Sequence, residues 1–221
     1  MCFSPQADLV GGIAIGAIGI DALRHVDRRN DHLALASLPL LLGAHQIDEA
    51  FVWWSLQGHT SASIGRVALW VYLLIAFVAL PIGIPLALRA FEPDRRRQLL
   101  MAPFAAVGTI VGGYLLIAIL RGPISAGIAP YHLAYSAPLS HGLIVTGLYV
   151  GAVCGALLLS SFRHVVIFGA ANLIAVAVLA RLTIDGFASL WCAYAAVASG
   201  AIATHMRLTQ PHQTMRVAPA L

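Results

Sequence analysis

The chain has no lysine. Its thirteen basic residues are all arginine, and they face nine acidic residues in a total of 221. Charged residues make up 10% of the sequence, where a soluble domain carries about 25%, so they are too few to clothe a water-facing surface. The arginines are scattered over short connections and form no stripe, which removes nucleic acid from the expected partners. Cysteine is also scarce, with only Cys2, Cys154 and Cys192. No two of them have metal-motif spacing, and the last two fall in apolar segments where a small buried residue is the plain role. A disulfide framework is therefore not expected. Because no arginine precedes Arg24 and no small-residue cleavage site is evident, no removable signal peptide is expected, and the first apolar segment should persist as a helix.

What the sequence does have is apolar length. Hydrophobic residues reach 60% and the mean hydropathy is +0.86, a membrane composition. About 20 residues cross a hydrocarbon core of about 30 Å, and seven stretches are long enough: 7–24, 33–56, 66–90, 99–120, 139–160, 164–181 and 185–206. The expected fold is all-α: one polytopic seven-transmembrane-helix bundle over residues 1–206, followed by a flexible tail at 207–221. No internal repeat marks an inverted-repeat transporter.

Arginine placement gives the expected orientation. The connections after the first, third and fifth segments, with the tail, hold Arg24, Arg28, Arg29, Arg89, Arg95, Arg96, Arg97, Arg163, Arg207 and Arg216, while the other side holds Arg66, Arg121 and Arg181. Positive residues gather on the cytoplasmic side. The N-terminus is thus expected outside and the C-terminus in the cytoplasm of a multi-pass protein of the inner or plasma membrane. Gly12 and Gly16, and likewise Gly108 and Gly112, have the spacing that lets helices approach closely. Pro81 and Pro85 should kink the third segment. The connection from Arg121 to Pro138, with Pro123, Pro130, Tyr131, His132 and Tyr135, reads either as a semi-rigid cap over the outer mouth or as an ordinary interfacial loop.

The chemistry is expected in the second segment, where His45-Gln46-Ile47-Asp48-Glu49 interrupts an otherwise apolar run. Charged groups at such depth cost roughly 2.5–3.5 kcal/mol each. At 1.5 Å per residue, Glu49 lies about 10 Å and His45 about 16 Å below the outer helix end. Four residues apart, they share a face, with Asp48 flanking it. This pair suits metal ligation or a proton relay. Trp53 and Trp54 are expected to anchor at the interface. In this topology Cys2, His132, His141 and Asp185 belong to the same leaflet. The bland alternative is neutralisation of Asp48 or Glu49 by Arg66, Arg121 or Arg181, with Asp185 paired to Arg181.

Met1-Cys2-Phe3-Ser4, the stretch Asp21 to Val26, and His45-Gln46 through Glu49 to Trp53-Trp54 resemble an uncharacterised bacterial family of small polytopic membrane proteins. Its members begin Met-Cys-Phe-Ser and carry His-Gln-x-x-Glu before a tryptophan-rich helix end. The resemblance implies seven helices and draws attention to Cys2, Ser4, His45, Gln46 and Glu49, without supplying an activity. The seven-helix zinc hydrolases that include alkaline ceramidases are broadly similar in layout. They place a His-x-x-x-His pair on the seventh helix, however, where this chain has only His205.

The expected site is therefore a metal-binding or polar catalytic centre in the outer half of the bundle. Its metal ligands would be drawn from His45, Glu49, His132, His141 and Cys2, with Asp48, Glu49 and Cys2 as catalytic groups and zinc or another divalent ion as cofactor. The expected partners are membrane lipid and a lipid-like or small apolar substrate for a metal-dependent hydrolase. Two other classes stand beside it: a proton-linked transporter or channel using His45 and Glu49 as a relay, and a haem or other redox-cofactor protein with His45 as an axial ligand.

Overall fold

The computed structural model describes residues 4–24, 30–129, 132–182 and 200, with the side chains at 30–32, 34, 35, 164 and 178–182 left aside. Helix α1 (Pro5–Arg24) begins as its sequence dictates. Pro5 needs no N–H partner in the first turn, and the Ser4 hydroxyl accepts from the Ala7 N–H at 3.2 Å, an N-cap arrangement. Helix α2 (Asn30–Leu56) returns antiparallel and stops before Gly58, whose φ of +77° breaks the spiral. Ser61 caps the start of α3 (Ala62–Leu74) by accepting from Ile64 N. A π-helical turn (Ile75–Ala79) then leads without a break into α4 (Leu80–Phe91). Asp94 caps α5 (Arg95–Arg121) through Arg96 N at 2.9 Å. A hairpin of β1 (Ser125–Ile128) and β2 (Leu133–Ser136) follows, then α6 (Gly142–Leu158) and α7 (Arg163–Leu182).

The fold is mostly helical, and three of its helices are long and apolar enough to cross a membrane: Pro5–Arg24, Ala62–Phe91 and Arg95–Arg121. Two shorter apolar helices cover Gly142–Leu158 and Val165–Ala177. Helix α2 is not among the three, because the polar run 45–49 dilutes its hydropathy. The six helical rods match the first six expected segments to within a few residues. The seventh, 185–206, and the tail 207–221 lie outside the described residues, so a count of seven is not established. Large apolar side chains face outward along the rods, as at Ile110 and Leu143, the pattern of a bundle whose solvent is apolar.

In the third segment, where Pro81 and Pro85 were expected to act on the helix, the structure has a π-helical turn just before Pro81. Leu80 N–H bonds to Ile75 O, five residues back, rather than to Ala76 O. The next donor Ala76 O could take in a π register belongs to position 81, which is proline and has none. The Tyr149 hydroxyl of α6 fills the gap, donating to Ala76 O at 2.9 Å. Tyr149→Phe should leave that carbonyl short of a donor at a cost of about 1–3 kcal/mol. The measurement is the unfolding temperature in detergent, and an unchanged midpoint would count against this account of the turn.

Glycines set the helix separations. A Cβ on Gly12 would stand 2.8 Å from Gly43 O and 2.9 Å from Ile47 N, and one on Gly43 would meet Gly16 N at 2.7 Å. Helices α1 and α2 thus touch backbone to backbone. Gly108 of α5 in turn lies against Pro81 O of α4. That carbonyl also lacks its helical donor, since the residue four further on is Pro85. The mid-bundle is closed by Ile15, Leu42 and Leu80 packed together.

At the end of the bundle away from the hairpin, a buried carboxylate ties two connections together. Glu92, 2% exposed, accepts from Ser161 N at 2.8 Å, from the Ser161 hydroxyl, and from Ser160 Oγ at 3.4 Å. Arg97 donates to the carbonyls of Leu159 and Ser160, both at 3.0 Å. The α4–α5 and α6–α7 connections are thereby latched.

Candidate functional site

Helical spacing puts His45, Glu49 and Trp53 on one line of α2, and all three are buried: His45 is 3% exposed, Glu49 0% and Trp53 4%. Gln46, on the neighbouring line, is also fully buried. The connection that was expected to be either a cap or a loop is a β-hairpin. Its second strand places Leu133 and Tyr135 on one face by the two-residue period of a strand. Leu133 packs against Val52, Trp53 and Ala68, and Ala126, the partner of Tyr135 across the strands, joins them. The hairpin therefore covers this end of α2 and α3.

Tyr135 carries the hairpin's polar contribution. Its hydroxyl donates to Glu49 Oε1 at 3.3 Å. Its ring stacks on Tyr72 of α3 at 4.1 Å between centroids, and Tyr72 stacks on His45 at 4.2 Å. Three rings from three elements form a column beside the carboxylate, which fixes the orientation of the imidazole and of the phenol that holds Glu49. Parallel aromatic rings at this separation attract by about 0.5–1.5 kcal/mol beyond their burial.

Around this column lies a concentration of buried polar atoms without hydrogen-bond partners. They include His45 Nδ1, both amide atoms of Gln46 and His132 Nε2, while the Trp53 indole lies beside the buried Asp8 carboxylate. Each unmade bond in a dry interior costs about 1–3 kcal/mol, so a protein does not gather them in one place without return. Asp48 is half-buried, with Oδ2 unpartnered, and edges an open hollow between α2 and α3 lined by Phe51, Ser63, Ile64, Val67 and Ala68.

The structure thus joins some of the expected site residues and separates others. His45 and Glu49 share the buried core, with Asp48 on its flank. His132 sends Nε2 into the interior from the hairpin. His141 instead is exposed at the N-cap of α6, in the left-handed region at φ 60°. Among the described residues no three His, Cys, Asp or Glu side chains gather closely enough to hold a metal ion. Cys2 and Asp185 lie outside the described residues. Of the three arginines in the alternative, neutralised reading, Arg66 and Arg121 are exposed, and the Arg181 side chain lies outside those described. Trp53 departs from its expected role: it packs under the hairpin instead of anchoring at an interface, while the half-buried Trp54 meets Phe51 edge-on at 5.4 Å. Ser4, prominent in the family resemblance, is the α1 cap.

Three residues of the site were not singled out in the sequence. Tyr72 sits inside an apolar run and looks like packing. Tyr135 reads as an interfacial tyrosine. Asp8 had a legible signal, a lone carboxylate in the first turns of an apolar segment, at the same end of the bundle as Glu49.

No curated protein and no solved structure matches the chain. A sequence family does match, and with residues 1–216 covered the chain belongs to DUF6629, a family of unknown function.

Proposed function

We propose that this is a multi-pass protein of the inner or plasma membrane that carries out acid–base chemistry, most simply hydrolysis, on a lipid-like or small apolar substrate beneath the hairpin. The hairpin end is the outer one in this reading, because Arg24, Arg89, Arg95, Arg96, Arg97 and Arg163 gather at the opposite end and positive residues mark the cytoplasmic side. The observation that carries the proposal is Glu49, fully buried and held by the Tyr135 hydroxyl. A carboxylate so placed can take a proton from water as the oxygen attacks an acyl carbon, then return it to the leaving oxygen. Tyr135 positions Glu49, and the stack through Tyr72 positions His45. The α2–α3 hollow offers an apolar chain a resting place at the flank, and the hairpin must shift to admit the reacting group.

A divalent ion such as zinc belongs to a stricter form of the same proposal. His45 and Glu49 would supply one nitrogen and one oxygen, and His132 and Cys2 are the remaining ligands to be tested. The apolar layer of Ile15, Leu42 and Leu80 below His45 favours a closed reaction site over a proton path through the bundle.

The test is turnover of a panel of fluorogenic lipid esters by the detergent-purified protein, with elemental analysis of the same sample. Glu49→Gln should lower turnover by roughly 100-fold or more, the usual worth of a general base, and Tyr135→Phe by less. Equal rates in wild type and Glu49→Gln would refute the proposal. A metal-free but active protein would remove only its zinc form.

A further inference from the structure

The hollow between α2 and α3 contains a polar group that its walls do not serve. Its volume is about 430 Å³, and its lining is Asp48, Phe51, Ser63, Ile64, Val67 and Ala68. Ligand pockets commonly span about 300–1,000 Å³. Three contacts give the register of the two helices: Ser55 lies against Gly65, Val52 packs with Ala68, and His45 stacks on Tyr72. Asp48 therefore sits one turn below Val52, and about 10 Å below the level of Ser55 at 1.5 Å per residue. Ser63 stands at the rim. Phe51, Ile64 and Val67 are exposed, so the hollow opens sideways, toward lipid in the membrane reading.

Among the described residues neither a hydrogen bond nor a charged group acts on the Asp48 carboxylate, whose Oδ2 is buried. A carboxylate left so at membrane depth is costly. The lining offers it nothing. The Ser63 hydroxyl is paired with Ser61 Oγ at 2.9 Å and stands at the rim, and the other walls are hydrocarbon. Arg66 of α3 is exposed and takes no part in the lining. A buried water needs two to four polar partners, and at this depth it would find one. The hollow is completed instead by a single molecule with two parts. An apolar body would cover the walls, and a head that donates hydrogen bonds would meet the carboxylate.

We infer that the α2–α3 hollow binds an amphiphile whose head donates hydrogen bonds, a primary ammonium or a hydroxyl group. Asp48 is the acceptor, and Phe51, Ile64 and Val67 lie against the apolar body. The inference rests on the reading of this hollow as the resting place of the substrate's apolar part, and it narrows the substrate class to acyl compounds that carry an amino or hydroxyl group. Asp48 and Glu49 are about 100° apart around α2, so one can hold the ligand's head at the flank while the other serves the buried core. Asp48 thus sets specificity, and Glu49 remains the base.

The test is equilibrium binding of radiolabelled octylammonium, octanol and octanoate to the full chain in lipid nanodiscs. One of the first two should bind saturably, and about tenfold or more tighter than octanoate, whose head is itself an acceptor. Which of the two does so identifies the head. Asp48→Leu should abolish that binding. Val67→Trp, which fills the hollow from an exposed position, should do the same without lowering the unfolding temperature, and Glu49→Gln should bind like wild type. Should Asp48→Leu fail to fold, the isosteric Asp48→Asn serves instead and should weaken the preferred probe. Such binding without any ester hydrolysis would remove the hydrolytic reading and leave the site. Hydrolysis of plain and amino- or hydroxy-substituted esters at equal rates, without saturable binding, would remove the site and leave the hydrolysis. A wild-type protein that binds neither donor-headed probe, or binds octanoate as tightly, overturns the inference, as does an Asp48→Leu protein that binds like wild type.

Discussion

Glu92→Ala is expected to loosen the bundle more than any substitution within the polar core. The Glu92 side chain accepts from Ser160 Oγ, Ser161 N and the Ser161 hydroxyl, and it sits at 2% exposure where water cannot substitute for it. Hydrogen bonds to a charged group are worth about 1.5–3 kcal/mol each, and orphaned donors add their own desolvation cost. A loss on the order of 3 kcal/mol or more follows. The expected signs are a large drop in unfolding temperature and rapid protease cutting around 159–162. Glu92→Gln keeps the shape and part of the bonding and should fall between the two. If the alanine variant melts like wild type, the latch contributes nothing to holding α4–α5 and α6–α7 together.

Gly108→Val is the second large effect. Even a single Cβ at this position would collide with Pro81 O, and a backbone carbonyl cannot rotate away as a side chain can. Helices α4 and α5 must separate, at a cost of about 1–3 kcal/mol or more for overpacking, and the close contacts along the seam are lost with them. Gly112→Ala is the graded comparison: its Cβ would meet Ile82 side-chain atoms at 2.7 and 2.8 Å, which are able to move. Gly113→Ala is the control, since nothing stands within 4 Å of its Cβ. There the gain in helix propensity of roughly 0.5–1 kcal/mol should appear as a slight rise in stability. A Gly108→Val protein that melts with the control would refute the backbone contact.

The helices were legible because their apolar runs are long; the residues that cap them, Ser4, Ser61 and Asp94, emerge only from the structure. The hairpin was not. Its strands are four residues each, and a connection rich in proline and tyrosine gives no hairpin turn signal strong enough to separate a strand pair from a loop. The pairing of His45 with Glu49 could be read from a spacing of four. Their companions could not, because Tyr72 and Tyr135 reach the site through tertiary contacts that leave no mark in local sequence. Glu92 escaped notice for a related reason: its partners Ser160 and Ser161 lie nearly seventy residues away, and a carboxylate in a short connection ordinarily reads as solvated. Trp53 was misjudged because a tryptophan near a helix end suits an interface equally well, and only the hairpin's position decides the matter.

The π-helical turn also sets the rotational phase of everything that follows it. A single extra residue within one turn advances the downstream side chains by about 100°, given 3.6 residues per turn. It is by this offset that Leu80 reaches Ile15 and Leu42 while Pro81 and Pro85 still lie against Gly108. Deleting one residue between Ile75 and Ala79 would therefore swing the whole of α4 about its axis and break both contacts at once, even though none of the contacting residues had been changed.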